Sequence, residues 1–240
     1  MTRLSLLALV ATAFTISACD SSGPEPTPVA LNVQTATDIN ADYGPRDPAT
    51  GRVESTNRFA LYSLRQGRLA LGVDNADRSD SASTAWDIGF RGSTIIFNGG
   101  TSGPGQAQAQ LLTQPFAEVT EAPATGYIAD GQNGTCPAVQ TPGGPVPGST
   151  LVICTGSNNG WYAYNPFPTG GGYLSPIAGR TIVVRNADGQ SYSKVRILSY
   201  YQGNPEPSAI TPTTPERFYS FEFVTQPDGS RSFLTTTAGN

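Results

Sequence analysis

Apolar and polar residues alternate in short bursts along this chain, and glycine, proline, asparagine and aspartate separate the bursts. Over residues 83–105, Trp86, Ile88 and Phe90 alternate with Asp87, Gly89 and Arg91, the period-two pattern of a half-buried strand. Ile95, Ile96 and Phe97 form a second apolar run, which residues 98–105 end with four glycines and a proline. The pattern predicts a strand pair feeding a glycine-rich loop, which is either a structural corner or the wall of a binding site. With no reactive partner elsewhere in the chain, Trp86, Ile88 and Phe90 read as core and 98–105 as the turn that redirects the sheet. Residues 57–71 predict a hairpin, with Phe59 and Leu61 before a turn at 65–68 and Leu69 and Leu71 after it. Residues 180–201 carry two alternating strands around a turn at 186–189 that ends in Gly189. Residues 218–234 predict a last hairpin, with Tyr219, Phe221 and Phe223 on one face and a turn at Gln226, Pro227, Asp228 and Gly229. Residues 31–40 predict a first strand. Residues 106–112 hold good helix formers without a cap or a lasting period, and read as one or two helical turns or as an extended edge. Residues 115–124 predict another short helical turn.

Composition turns this pattern into a fold class. With 27 glycines and 20 prolines in 240 residues and few helix signals, the chain reads as all-β, β-dominated with one or two short helices. Its antiparallel hairpins fit a single domain. The N-terminus changes the picture of where that domain works. Arg3 precedes an apolar run over residues 4–15, too short to span a bilayer and of the length of a signal-peptide core. Ile16, Ser17, Ala18 and Cys19 then have the form of a lipobox, with Cys19 as the lipidated first residue of the mature chain. The division that follows is a lipoprotein signal peptide over 1–18, the lipidated cysteine and a flexible tether over 19–30, and the β domain over 31–240. Proline and polar residues make 20–29 a poor packing partner. One lipid anchor tethers such a domain to a membrane without inserting it. Once Cys19 is assigned to lipid, Cys136 and Cys154 remain, and in an exported protein this even pair is most simply a disulfide. The net charge of −4 is spread without runs, so no basic stripe is present to attract nucleic acid.

Candidate chemistry is limited by one fact: the chain has no histidine. Ser-His-Asp and Cys-His catalysis, His-bearing zinc sites and His-ligated haem are therefore excluded. Met1 is the only methionine and lies in the signal. Asp87, Glu118, Asp130 and Glu222 are the carboxylates on which glycoside hydrolysis would depend, but nothing in the sequence pairs them. Asp87, between Trp86 and Ile88, reads as a side chain that hydrogen-bonds a neighbouring turn. No catalytic residues and no enzyme activity are expected. Residues 38–44 resemble the first half of a calcium loop, but the glycine comes one residue late and Ala49 stands where the bidentate Glu belongs, so a polar turn is the expectation and no metal site is assigned. Aromatic residues beside glycine-rich loops remain: Tyr127, Trp161, Tyr162, Tyr164, Phe167 and Tyr173. They suit either the wall of a site for a flat apolar ligand or a sugar, or plain loop packing over a β core.

A family likeness rests on motifs in a fixed order. The series begins with the lipobox, Phe-x-Leu-Tyr-Ser-Leu-x-x-Gly at 59–67, Trp-Asp-Ile-Gly-Phe at 86–90 and Asn-Gly-Gly-Thr-Ser-Gly-x-Gly at 98–105. It continues with Trp-Tyr-x-Tyr at 161–164, Val-Val-Arg-x-Ala-Asp-Gly at 183–189 and Tyr-x-Lys-x-x-Ile-Leu-Ser-Tyr-Tyr at 192–201. Together these resemble the HmuY-like lipoproteins of Gram-negative bacteria, from about residue 57 to the C-terminus. The resemblance implies a lipid-anchored β fold at the outer membrane or cell surface that captures haem and passes it to an outer-membrane receptor. Family members grip haem iron with His pairs, or with Met in some relatives. The ligands come from loops in the middle and just before the Val-Val-Arg strand. In this chain that second loop, residues 168–176, puts Gly172 or Tyr173 at the ligand's place. Tyrosinate can ligate ferric haem, which leaves Tyr127 and Tyr173 as the ligands to nominate. The ligand-binding candidates are thus Tyr127, Trp161, Tyr164 and Tyr173, with haem or a related porphyrin as the cofactor to consider. The alternative is a cell-surface interaction or structural module that kept the fold and lost the ligand.

Overall fold

A computed structural model describes residues 27–45, 53–134, 136–141 and 144–237. The expected signal segment 1–18, Cys19 and the expected tether as far as residue 26 lie outside the described residues. The strands follow one another as β1 (Thr27–Ala30), β2 (Gln34–Asn40), β3 (Ala60–Ser63), β4 (Arg68–Leu71), β5 (Ile88–Arg91), β6 (Thr94–Phe97) and β7 (Gln108–Leu112). The series continues with β8 (Val139–Thr141), β9 (Gly144–Val146), β10 (Tyr162–Pro166), β11 (Gly172–Pro176), β12 (Thr181–Arg185), β13 (Tyr192–Tyr201), β14 (Glu216–Gln226) and β15 (Leu234–Thr237). Among the described residues, helix is confined to 3-10 turns at Ser79–Ala82, Phe116–Glu118 and Pro207–Ala209. The protein is all-β, with its sheets antiparallel.

Two sheets face each other. One has four strands in the order β4-β3-β5-β6, the other five in the order β2-β14-β13-β12-β7. Alternation sets which side chains meet between them. From the larger sheet come Ile182, Val184, Val195, Ile197, Tyr219, Phe221 and Phe223, and from the smaller Tyr62, Ile88, Phe90, Ile95 and Phe97, all buried in one cluster. Aromatic rings join the layers: Phe90 lies 4.5 Å from Tyr219 and 5.3 Å from Phe221, and Tyr62 meets Phe221 edge-on at 5.1 Å. Full burial of each such ring contributes roughly 1.5–3 kcal/mol. The outer face of the larger sheet carries a second cluster, where Val183 and Val224 pack against Phe116, Val119, Ala122 and Phe233.

The hairpins at 57–71, 83–105 and 180–201 form as the alternation predicts. Residues 108–112 take the extended alternative, as the edge strand β7 beside β12. Three expectations need correction. Trp86 does not share the core face of Ile88 and Phe90. It precedes β5 and packs outside the small sheet with Leu61, Leu71 and Ile96, where Gly89 leaves room for Leu61 and Ile96 to close. The hairpin expected over 218–234 does not form either, because β15 pairs with β1 rather than with β14. Phe233 explains the diversion: it is buried in the second cluster, its N–H donates to Thr120 O, and its carbonyl accepts from Leu31 N. The same pairing puts Thr27–Ala30, inside the stretch expected to be tether, into a strand.

The joints between sheets are polar and buried. Asp87 is fully buried and accepts hydrogen bonds from Arg65 Nε at 2.8 Å and from Ala187 N, in the β12–β13 turn, at 3.0 Å. Asn98 donates to the carbonyls of Ser83 and Trp86 and accepts from Gly105 N, which closes 98–105 into the corner that carries the chain from one sheet to the other. In the 38–44 segment, Asp42 receives Ser55 and Thr56, Asp38 receives Gly203 N and Asn40 receives Tyr43 N, so these side chains hold turns.

Candidate functional site

At one end of the sandwich, β10 and β11 form a two-stranded ribbon that covers the edge of the core. Cross-strand partners share a face in an antiparallel pair. The register pairs Tyr162 with Pro176, Tyr164 with Leu174 and Asn165 with Tyr173. Tyr162, Tyr164 and Leu174 therefore look one way and Tyr173 the other. The first face lines a cavity of about 330 Å³, at the lower end of the range for small-molecule sites. Its remaining walls come from Tyr200, Tyr201 and Glu216 at the near ends of β13 and β14, Ser93 in the β5–β6 turn, and Val139, Gln140, Gly156 and Ser157 of the cysteine-containing loop.

These walls are fixed by hydrogen bonds. Cys136 and Cys154 form a disulfide. Just after it, Gly156 N donates to Tyr162 Oη at 2.9 Å, and Ser157 Oγ accepts from Tyr164 N at 2.9 Å. Tyr201 Oη accepts from Leu174 N at 3.0 Å and so ties the ribbon to β13. Burial, with Glu216 nearby, pushes Tyr201 up to about 12, and burial drives Tyr200 higher still. Both phenols stay protonated at neutral pH and act as ring surface and hydrogen-bonding groups. Tyr164 is 37% exposed, the most open aromatic of the cavity. Its ring end lies against Gly172, where a Cβ would come within 2.5 Å of Tyr164 Cζ and would also meet the Asn165 carbonyl. Glycine at 172 thus lets the Tyr164 ring lie across the ribbon.

The four candidate ligand residues fall in separate places. Trp161 is 2% exposed and belongs to the core behind the cavity, 4.9 Å from Tyr162 and 5.3 Å from Tyr219, with Nε1 donating to Ser93 O. Tyr164 lines the cavity. Tyr173 is on the other face of the ribbon by register and packs with Phe167, beside Thr211, Pro212 and Thr214 and next to Tyr201 and Glu216, which also line the cavity. Tyr127 is on the outer face of the five-stranded sheet, 6.1 Å from Tyr192, and burial pushes its phenol well above the ordinary tyrosine range. Tyr200 and Tyr201 enter the sequence reading only as the end of the 192–201 motif, and Glu216 not at all, because they sit at the ends of well-patterned strands. The register shifts of β13 between Ile197 and Tyr201 break the alternation there and bury both tyrosines. Adjacent aromatics at a strand end were the available signal.

This arrangement offers aromatic walls to a planar ligand, but it does not offer a pair of ligands to its metal. Tyr164 and Tyr173 diverge, Tyr127 is beyond the sheet, and the described residues hold no group of three His, Cys, Asp or Glu side chains placed for a metal ion. Two-sided ligation of haem iron does not fit these residues.

No curated protein matches the chain. A family model described as HmuY protein matches residues 55–212, from just before β3 to just past β13, and so takes in the small sheet, the ribbon and the stapled loop. That is more than half of the sequence, and the chain belongs to the HmuY protein family.

Proposed function

We propose that this is an exported, lipid-anchored binding protein that takes a planar tetrapyrrole, haem or a related porphyrin, against the ring walls of the 330 Å³ cavity. The observation that supports this reading is the open Tyr164 ring, set on the cavity face of the ribbon with Tyr162 and Leu174. Family membership supports a porphyrin as the ligand class. The donor set supports ring contact in place of axial ligation. An outer-membrane receptor is the partner that the same reading implies.

Titration of the purified protein with haemin and with metal-free protoporphyrin tests it. Ring contact predicts that both bind, with affinities within about threefold of each other, since the metal contributes little. Replacing Tyr164 by Ala should weaken both by about tenfold, the upper range of one aromatic contact. Haemin binding that needs Tyr127 or Tyr173 and excludes the metal-free ring would overturn the proposed mode. Failure of both to bind at micromolar concentration would leave the alternative, a surface module that kept the fold without the ligand.

A further inference from the structure

On the outer face of the five-stranded sheet, a cavity of about 390 Å³ opens between the 3-10 turn at Phe116–Glu118, the segment after β1, and strands β13 and β14. It shares no lining residue with the tyrosine cavity. Its walls are largely apolar, with Leu31, Val33, Val224 and Phe233 among them. At its polar end is Lys194, the one lysine among the chain's 14 cationic side chains. Lys194 is only 7% exposed.

The surroundings of Lys194 solvate an ammonium, but among the described residues no carboxylate pairs with it. Nζ donates to Phe116 O and Val119 O, each at 2.8 Å, and sits 4.4 Å from the Phe116 ring centroid and 5.4 Å from that of Phe233. Carbonyl oxygens and aromatic faces both favour a cation. An ammonium has three N–H donors, and these two carbonyls use two of them. The acidic side chain that lines the cavity, Glu222, is already bound by Arg196. A buried charge with no opposite partner is costly unless one is supplied. A ligand that brought a negative head and an apolar tail would satisfy both the cation and the walls.

We propose that this cavity is a second binding site, for a single-chain aliphatic carboxylate whose head pairs with Lys194 and whose chain lies along Leu31, Val224 and Phe233. The site is independent of the porphyrin reading, and either can fail without the other.

Calorimetric titration of the purified protein with decanoate, kept below its micelle-forming concentration, and with decanol tests the proposal. Decanoate should bind at least about tenfold more tightly than decanol, because a hydrogen bond to a charged group contributes about that much. Lys194→Met should remove the discrimination. Because Lys194 also holds the 116–119 turn, that variant could unfold. Ala117→Trp is the second arm: Ala117 is exposed at the cavity, and a bulky ring there should block decanoate by tenfold or more while Lys194 stays in place. Equal binding of decanoate and decanol, no decanoate binding at all, or unchanged decanoate binding in Ala117→Trp would each overturn the proposal. Porphyrin titration of Ala117→Trp should match the parent protein.

Discussion

Asp130 is fully buried, and its carboxylate oxygens accept from Phe97 N at 2.8 Å and Val152 N at 2.9 Å. None of the ion pairs among the described residues involves it. Burial therefore pushes Asp130 above the ordinary carboxylate range, against the pull of those two donors. Asp87 is shifted the same way by burial, but it has Arg65 2.8 Å away to offset the cost. A carboxyl raised in the fold stabilises it below the unfolded value of 3.8 and loses that contribution as pH rises through the folded value. Asp130→Asn keeps one acceptor and turns an amide N–H toward the other backbone donor, at an expected cost of about 1–3 kcal/mol. Its deficit against the parent, measured by urea unfolding, should be larger near pH 4 than at pH 7. A deficit that is constant with pH would show that Asp130 ionises without penalty. Asp87 was legible in the sequence because a lone carboxylate between strand apolars needs donors, and the turn at Ala187 supplies one. Asp130 was not, since it lies in an irregular stretch where no alternation marks a residue as buried. Lys194 was missed for a different reason. It falls on the outer face of β13, and only the covering turn at 116–119 makes that face an interior.

The ribbon β10–β11 and the loop before it act as one element of the candidate site. The loop contributes only the short pair β8–β9 of regular structure, and its position depends on the Cys136–Cys154 disulfide, on Asp130 receiving Val152 N, and on the hydrogen bonds that Gly156 and Ser157 make to β10. Removing both cysteines as alanines should lower stability by about 3 kcal/mol, the chain-entropy value for a loop of this size, given the separation of 18 residues. Porphyrin affinity should fall as well, because Gly156 and Ser157 form the cavity wall and hold Tyr162 and Tyr164. Denaturant unfolding beside a porphyrin titration checks both. A variant as stable as the parent would mean that the backbone contacts alone hold the loop. The cysteine pairing was legible from the even number of cysteines left in a chain that reads as exported, and the ribbon's aromatics were legible as a group. Their division between two faces was not, because it depends on the pairing of Tyr164 with Leu174 and of Asn165 with Tyr173 across a turn whose length no periodicity fixes. The diverted strand β15 shows the same limit. A good turn at 226–229 predicts a local hairpin, but burial of Phe233 against the 116–122 segment takes the chain elsewhere.

At the scale of the whole molecule, the β class and the local hairpins could be read from residue pattern, while the assembly of the large sheet could not. Its β7–β12 and β2–β14 pairs join strands far apart in the chain, and only the shared core brings them together. That assembly also bears on the proposed membrane anchoring. Among the described residues no helix is long and apolar enough to cross one. Among the described residues the exposed large apolar side chains are Val33, Leu69 and Tyr164, on separate segments. The net charge is −4, and the sequence holds no run of cationic residues. With Thr27–Ala30 held to the domain by β15, the stretch expected to be tether ends no later than residue 26. Under the proposed anchoring, the lipid on Cys19 is what would hold the protein at a membrane. Cys19→Ala, expressed in a Gram-negative host and fractionated, should move the protein out of the membrane pellet while Tyr164-dependent porphyrin binding and the unfolding midpoint stay unchanged. If the variant remained in the pellet after a high-salt wash, the folded domain itself would have to carry a membrane-binding surface, and the anchor assigned to Cys19 would be wrong.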